Sequence, residues 1–163
     1  MSGPGLSIIL LIMAVFACLP LISAPAEIGA ERSAVRSVVD IRQLATAVLI
    51  QQQALEAWHK ANPGIYGVVP SASLSIPAPW SAAPGVISVL GPDGSSVVGI
   101  TYYDSTVFRY RATAIATALT EATGYSGEVG ITSADGMQSA RGAVVRLPYG
   151  IPAGFAGVAQ VFD

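Results

Sequence analysis

The residue types that could carry out chemistry are few in this chain and do not form a recognisable set. His59 is the only histidine, and no cluster of cysteine, aspartate and glutamate has the spacing of a metal site. A serine or threonine nucleophile needs a neighbouring base, and the G-x-S-x-G motif does not occur. We therefore predict that the protein is not an enzyme, has no catalytic residues and binds no metal or cofactor.

Two groups of residues invite a chemical interpretation, and each has a simpler structural one. His59 could act as a base, but near the end of a predicted helix it is well placed to interact with the last carbonyl groups. Tyr102, Tyr103 and Tyr110 could stack on a ligand, although packing of a strand and a helix explains them more simply. Neither group predicts a reaction.

The N-terminal segment is the most apolar part of the chain. Leu6–Ile22 is a run of seventeen residues without a charge, in which Ser7 is the only hydroxyl. A helix of this length spans roughly 26 Å, so residues 1–26 are predicted to be a membrane anchor. The alternative is a signal peptide removed after the small residue Ala26, and a lipoprotein site at Cys18 is a third interpretation.

The charged residues predict how the anchor is oriented in the membrane, and they argue against nucleic acid as a partner. Arg32, Arg36 and Arg42 follow the apolar run, so the positive-inside rule alone favours a cytoplasmic C-terminal part. The net charge is −2 and charged residues make up 11% of the chain, which leaves no basic patch for nucleic acid. The only cysteine lies within the apolar run, so no disulfide is expected.

Residues 27–62 have the pattern of an amphipathic stem helix. Apolar side chains recur at helical spacing and are expected to face a sheet, with Trp58 at the far end. These positions are Val35, Val38, Ile41, Ala45, Val48 and Leu55. The opposite face, with Arg36, Gln43 and Gln51, is predicted to meet water or a partner. Asn62-Pro63-Gly64 ends the helix, because Pro63 disfavours helical geometry at the preceding residue.

Residues 63–163 are predicted to form a small globular α+β part. A proline-rich loop over 65–84 carries Trp80, which is expected to fill the core between helix and sheet. Two β-branched runs around Gly91–Gly94 predict a hairpin. A second short helix is expected to begin at Ser105 or Thr106. Short strands are then predicted at Glu128–Thr132, Ala143–Leu147 and Gly157–Phe162, with a turn at Ala134–Gly136.

Several turn motifs appear in an order that resembles the PilM family. They include Ala61-Asn62-Pro63-Gly64, Val129-Gly130-Ile131 and Ile151-Pro152-x-Gly154. The family-motif structural residues are Asn62, Pro63, Gly64, Gly67, Trp80, Gly130, Pro148, Pro152 and Gly154. The family comprises small inner-membrane proteins of type IVb pilus and conjugative thin-pilus systems. The resemblance implies a place in the pilin transport apparatus or pilus base, with the C-terminal domain outside the cytoplasm.

Pattern and resemblance together give one expectation. The fold is predicted to be α+β and pilin-like, with a transmembrane helix continuing into a long amphipathic helix on a small antiparallel sheet. The predicted function is that of a membrane-anchored assembly component of a type IV pilus or related secretion machine, acting by protein–protein interaction in the inner-membrane base complex. The alternative is a cleaved, secreted or periplasmic binding module, or a pilin-like minor subunit, without catalysis. Its expected partners are membrane lipid at Leu6–Ile22 and other assembly proteins or pilin, bound through Arg36, Gln43 and Gln51. The expected location is the inner membrane, with one pass and a periplasmic domain, or export after cleavage near Ala26.

Overall fold

The structure is a computed structural model and describes residues 40–107, 110–124, 129–134, 136–139, 142, 144–147 and 150–162. Two helices are present in this part of the chain, α1 over residues 40–61 and α2 over Ala112–Ala122. The seven strands are β1 (Gly67–Val69), β2 (Val86–Asp93), β3 (Ser96–Tyr103), β4 (Val129–Ser133), β5 (Gly136–Ser139), β6 (Val144–Val145) and β7 (Ala156–Phe162).

The strands form one antiparallel sheet in the order β1-β2-β3-β7-β4-β5-β6. The predicted β2–β3 hairpin is confirmed, but its turn is tighter than expected, since Asp93 still pairs with Ser96. Only Gly94 and Ser95 remain in the loop, and Gly94 has a φ of +63°, which glycine adopts without strain. Pro92 lies beyond the residues that β1 covers, where a missing N–H is tolerated.

One face of the sheet is covered by both helices. Leu44 and Val48 of α1 and Ile115 and Leu119 of α2 meet Tyr103 of β3 in a shared core. The end of α1 continues over a second group of buried side chains around Leu55. This group comprises Ala54, Leu55, Val69, Leu74, Leu90 and Phe162, with Trp58 packed against it. The predicted inward direction of Ala45, Val48 and Leu55 is therefore confirmed, because each is at most 1% exposed.

The opposite face of the sheet has its own core. Val98 and Ile100 of β3 pack with Met137 of β5, and the chain after β6 contributes Ile151 and Phe155. The rings of Tyr102 and Phe155 stack with centroids 5.7 Å apart. The central strands are therefore buried on both faces, which explains why β2 and β3 are almost continuously apolar.

The side chains of Gln51 and Gln52, two consecutive residues of α1, are buried against the sheet, whereas Gln51 is predicted from the sequence to face water or a partner. The Gln51 side-chain amide donates to the Val86 carbonyl at 3.3 Å and to Ser88 Oγ at 3.1 Å, and the residue is 2% exposed. Gln52 donates to the Gly99 carbonyl at 3.1 Å. The prediction that Gln51 faces water or a partner is wrong, because the polar atoms of the sheet beneath α1 supply its hydrogen-bond partners.

The predicted fold class is also wrong. The sheet is the dominant element, with seven strands instead of a few, and the described helices are α1 and the eleven-residue α2. β1 lies within the predicted loop over 65–84, and β5 begins at the end of the predicted turn at Ala134–Gly136. With three and four residues, both strands are too short for a clear alternating pattern in the sequence. Thr106 lies in a turn before α2, whose N-cap is Arg111.

The prediction of a single-pass inner-membrane protein with a periplasmic domain is wrong on this structure. Neither helix of the described residues is long and apolar enough to cross a bilayer. The segment 1–26, on which the anchor and cleavage predictions depend, lies outside the described residues, as do Val35, Arg36 and Val38. The domain divisions proposed at 26/27 and 62/63 stay predictions.

The three glutamines 51–53 allow a matched test of the buried contacts. Gln51→Glu and Gln52→Glu should each lower the free energy of unfolding by about 3 kcal/mol at neutral pH, because a carboxylate cannot donate to a carbonyl and is buried unpaired. Gln53→Glu, on an exposed neighbour, should change it by less than about 0.5 kcal/mol. Urea denaturation measures all three.

The pH dependence of the same variants checks the cause. Burial raises the folded-state pKa of an introduced glutamate above its unfolded value. The folded state then binds the extra proton more tightly, so the stability deficit of Gln51→Glu should shrink as pH falls towards about 4. An equal deficit at pH 7 and pH 4.5 would mean that lost packing, and not the buried charge, destabilises the variant.

Candidate interaction site

The turn after α1 brings several of the family-motif residues together. The Asn62 backbone N–H donates to the Trp58 carbonyl at 3.0 Å, and its side-chain amide donates to the same oxygen at 2.9 Å. Gly64, with a φ of +81°, then reverses the chain and leads into β1. Asn62, Pro63, Gly64 and Gly67 therefore form the connection that places β1 at one edge of the sheet.

β1 carries the most exposed large apolar side chain of the described residues. Val68 is 69% exposed, and the preceding Ile65 and Tyr66 are 52% and 50% exposed. Val69 points the other way and is buried under α1. Because β1 is the last strand on its side of the sheet, its outer backbone groups face away from β2. We name Ile65, Tyr66 and Gly67–Val69 the β1 edge.

The segment of the sequence that contains the β1 edge has no charged residues. No charged residue occurs between Lys60 and Asp93, a stretch that also contains the exposed Trp80. The opposite edge of the sheet differs, since the exposed Arg146 directly follows β6. Charged side chains are the usual protection of a sheet edge against pairing with another chain. The β1 edge lacks that protection.

Of the remaining family-motif residues, Trp80 lies in the loop before β2, Gly130 lies in β4, and Pro152 and Gly154 lie in the turn before β7. Trp80 is 40% exposed, so the prediction that it fills the core is wrong; the rings and aliphatic chains around Leu55 occupy that space. Gly130 lies where a Cβ atom would stand 2.2 Å from the Gln138 carbonyl oxygen, so glycine permits the close approach of β5 to β4. Pro148 lies outside the described residues.

Thr132 holds the turn that contains Pro152 and Gly154, and the sequence interpretation missed it. Its hydroxyl donates to the Pro152 carbonyl at 2.7 Å and accepts the Phe155 N–H at 2.9 Å. The Gly154 N–H donates to the Thr132 carbonyl at 2.7 Å. A single threonine in a predicted strand gives no sequence signal of this role, because its partners are main-chain groups about twenty residues away.

The predicted partner residues do not form one surface. Gln43 is exposed and lines a groove beside Asp40 and Tyr110, Gln51 is buried, and Arg36 lies outside the described residues. The Tyr110 hydroxyl donates to Asp40 Oδ2 at 3.5 Å. Desolvation raises the pKa of Tyr110, and the negative charge of Asp40 and this hydrogen bond add to the effect.

Asp104, Tyr102 and His59 each interact with neighbouring side chains of the fold. Hydrogen bonds from the Thr106 hydroxyl and N–H lower the pKa of Asp104, which closes a turn before α2. Burial, and then the charge of Asp104, raise the pKa of Tyr102. The His59 ring stacks on Phe162 at 5.5 Å and its Nδ1 has no hydrogen-bond partner among the described residues. No three metal-ligating side chains of the described residues come together.

Two helices on a seven-stranded antiparallel sheet with an exposed apolar edge strand define a small α+β domain. The sequence profile of the PilM family matches residues 13–156, and the chain belongs to this family. A crystal structure of the protein PilM from Escherichia coli B7A is similar in fold, with a TM-score of 0.51 and 18% identity over 76% of this chain and 94% of that one. No curated protein matches the chain. The protein is therefore associated with a pilus or with conjugation.

Replacing Thr132 tests its role in the 152–155 turn. Thr132→Val keeps the shape but removes the hydroxyl, which leaves the Pro152 carbonyl and the Phe155 N–H without this partner and should cost about 1–3 kcal/mol of unfolding free energy. Thr117→Val, on the exposed face of α2, should cost less than about 0.5 kcal/mol. Chemical denaturation compares the two, and equal costs would contradict the assigned role.

Proposed function

We propose that the protein is a non-catalytic assembly component of a type IV pilus or related conjugative secretion machine, and that it acts by binding other proteins. Family membership supports the association with a pilus. The observation that carries binding is the β1 edge, where Ile65, Tyr66 and Val68 are each at least half exposed in a charge-free stretch.

The geometry of the β1 edge favours an extended partner segment. A strand added beside β1 would satisfy the outward N–H and C=O groups of the edge, as in other complexes formed by strand addition. Val68 pairs with the buried Val89 of β2, so the two side chains lie on the same face of the sheet. The added strand would therefore continue the apolar face that begins at Val89.

The chemistry of the partner segment follows from the same residues. A charged side chain placed against Tyr66 and Val68 would lose water without gaining an opposite charge, because the neighbouring chain has none. We therefore expect an uncharged segment rich in β-branched or aromatic residues, donated by another assembly protein or by pilin.

A lysine at the edge tests this proposal. Val68→Lys should leave the unfolding free energy within about 0.5 kcal/mol of the wild type, since the site is exposed. The same variant should abolish surface pili, because a lysine on an edge strand blocks pairing with another chain. Surface pili are counted by electron microscopy, with pilin synthesis measured in parallel by immunoblot.

The control uses the opposite edge of the sheet. Val144→Lys places the same residue on β6, where Val144 is 57% exposed, and should leave piliation unchanged. Deletion of the gene should remove surface pili while pilin is still made. Normal piliation in the Val68→Lys strain would exclude the β1 edge, and normal piliation in the deletion strain would exclude the assembly role itself.

A further inference from the structure

A groove beside the start of α1 has a chemistry unlike that of the β1 edge. It has a volume of about 340 Å³ and lies between α1 and the loop before β2. Its lining includes Asp40 and Gln43 of α1, the ring of Tyr110, and Ala83 and Pro84 of the loop. We name it the Asp40 groove.

The polar and apolar parts of the Asp40 groove suit one type of side chain. Asp40 is the only charged side chain among the described lining residues, and Gln43 adds an amide oxygen that can accept a hydrogen bond. Leu44, Ala47 and Pro84 provide apolar walls. A long aliphatic chain that ends in a cation would bury its methylene groups on these walls and present its charge to the carboxylate.

Arg42 and Lys60 of the described residues each have a carboxylate partner, and the exposed Arg111, which follows Tyr110, is not among the lining residues of the groove. The Arg42 guanidinium lies 3.9 Å from the Glu121 carboxylate. Lys60, the only lysine of the chain, pairs with Glu56 at 2.7 Å. It stands twenty residues along α1 from Asp40, which is about 30 Å along a helix axis. A lysine in the Asp40 groove must therefore come from another molecule.

We propose that the Asp40 groove receives a lysine side chain of a partner protein. Asp40 binds the ammonium group, the Gln43 side-chain oxygen accepts a further hydrogen bond from it, and Leu44, Ala47 and Pro84 contact the methylene groups. The inference deepens the proposed function by giving the protein a second contact, of opposite character to the β1 edge. It rests on charge complementarity within the groove and not on the exposed apolar edge.

Binding of a minimal probe tests the proposal on the full chain. The probe is Nα-acetyl-lysine methylamide, compared with Nα-acetyl-norleucine methylamide, which has the same aliphatic stem without the ammonium group. NMR titration of isotope-labelled protein should show saturable shifts at the Gln43 side-chain amide and at the amides of Ala82 and Ala83. The lysine probe should bind about threefold to fivefold more tightly than the norleucine probe, as expected for a partly exposed ion pair.

Two variants separate the charge from the shape of the groove. Asp40→Asn should remove the preference for the lysine probe, whereas Asp93→Asn, at an exposed carboxylate on β2 outside the groove, should preserve it. Gln43→Glu adds a second carboxylate at an exposed position and should tighten lysine binding about threefold. Because this variant gains affinity, its result does not depend on whether Asp40→Asn folds.

Three results would overturn the proposal. They are equal affinity of the two probes, unchanged lysine binding by Asp40→Asn, and no gain of affinity by Gln43→Glu. The Val68→Lys variant should bind the lysine probe as the wild type does. A failure at the β1 edge is thus distinguishable from a failure at the Asp40 groove, because the first is measured by piliation and the second by probe affinity.

Discussion

The hydrogen bonds of Gln51 and Gln52 to the sheet are the interaction on which the rest of the structure depends. They join α1 to the Val86 and Gly99 carbonyls of two neighbouring strands, in a region that water does not reach. Apolar packing alone would tolerate a helix that slides or rotates on the sheet, whereas two buried amides lose their partners if it does. The Ser88 and Thr101 hydroxyls, 3.0 Å apart, continue the polar contact between the same strands. The position of α1 then fixes the Asp40 groove at one end of the helix and the turn into β1 at the other.

Gly99 and Gly130 allow close packing on opposite faces of the sheet, because a Cβ atom at either position would clash with a neighbouring residue. A Cβ atom on Gly99 would stand 2.2 Å from the Phe162 ring, so glycine lets this ring lie against the sheet beneath the end of α1 and stack on His59. On the other face, Gly130 makes room for Met137 and for the β5 backbone. Both faces are consequently filled by the protein's own side chains, and the edges are where the sheet can accept another chain. Of the two edges, β1 combines exposure with the absence of charge.

The two proposed contacts would give an assembly protein two kinds of selectivity. Strand addition at β1 depends on backbone groups and tolerates varied sequences, so it supplies affinity more than discrimination. A cation-binding groove at Asp40 distinguishes partners by charge and is sensitive to ionic strength. The two sites lie on different elements, the first after the end of α1 and the second near residue 40.

The sequence by itself determined the elements whose signal is local. The helical spacing of Val48 and Leu55, the stop at Asn62-Pro63-Gly64, the β2–β3 hairpin and the order of the family turns follow from periodicity and backbone preferences, and so does the family. The tertiary structure alone decided the direction of Gln51, which an amphipathic pattern assigns to water, because its partners are carbonyl and hydroxyl groups thirty-five or more residues away. It likewise decided the exposure of Trp80, the pairing of the three-residue β1 and the role of Thr132. Each depends on which distant strand lies alongside, and hydrophobicity and turn propensity carry no information about that.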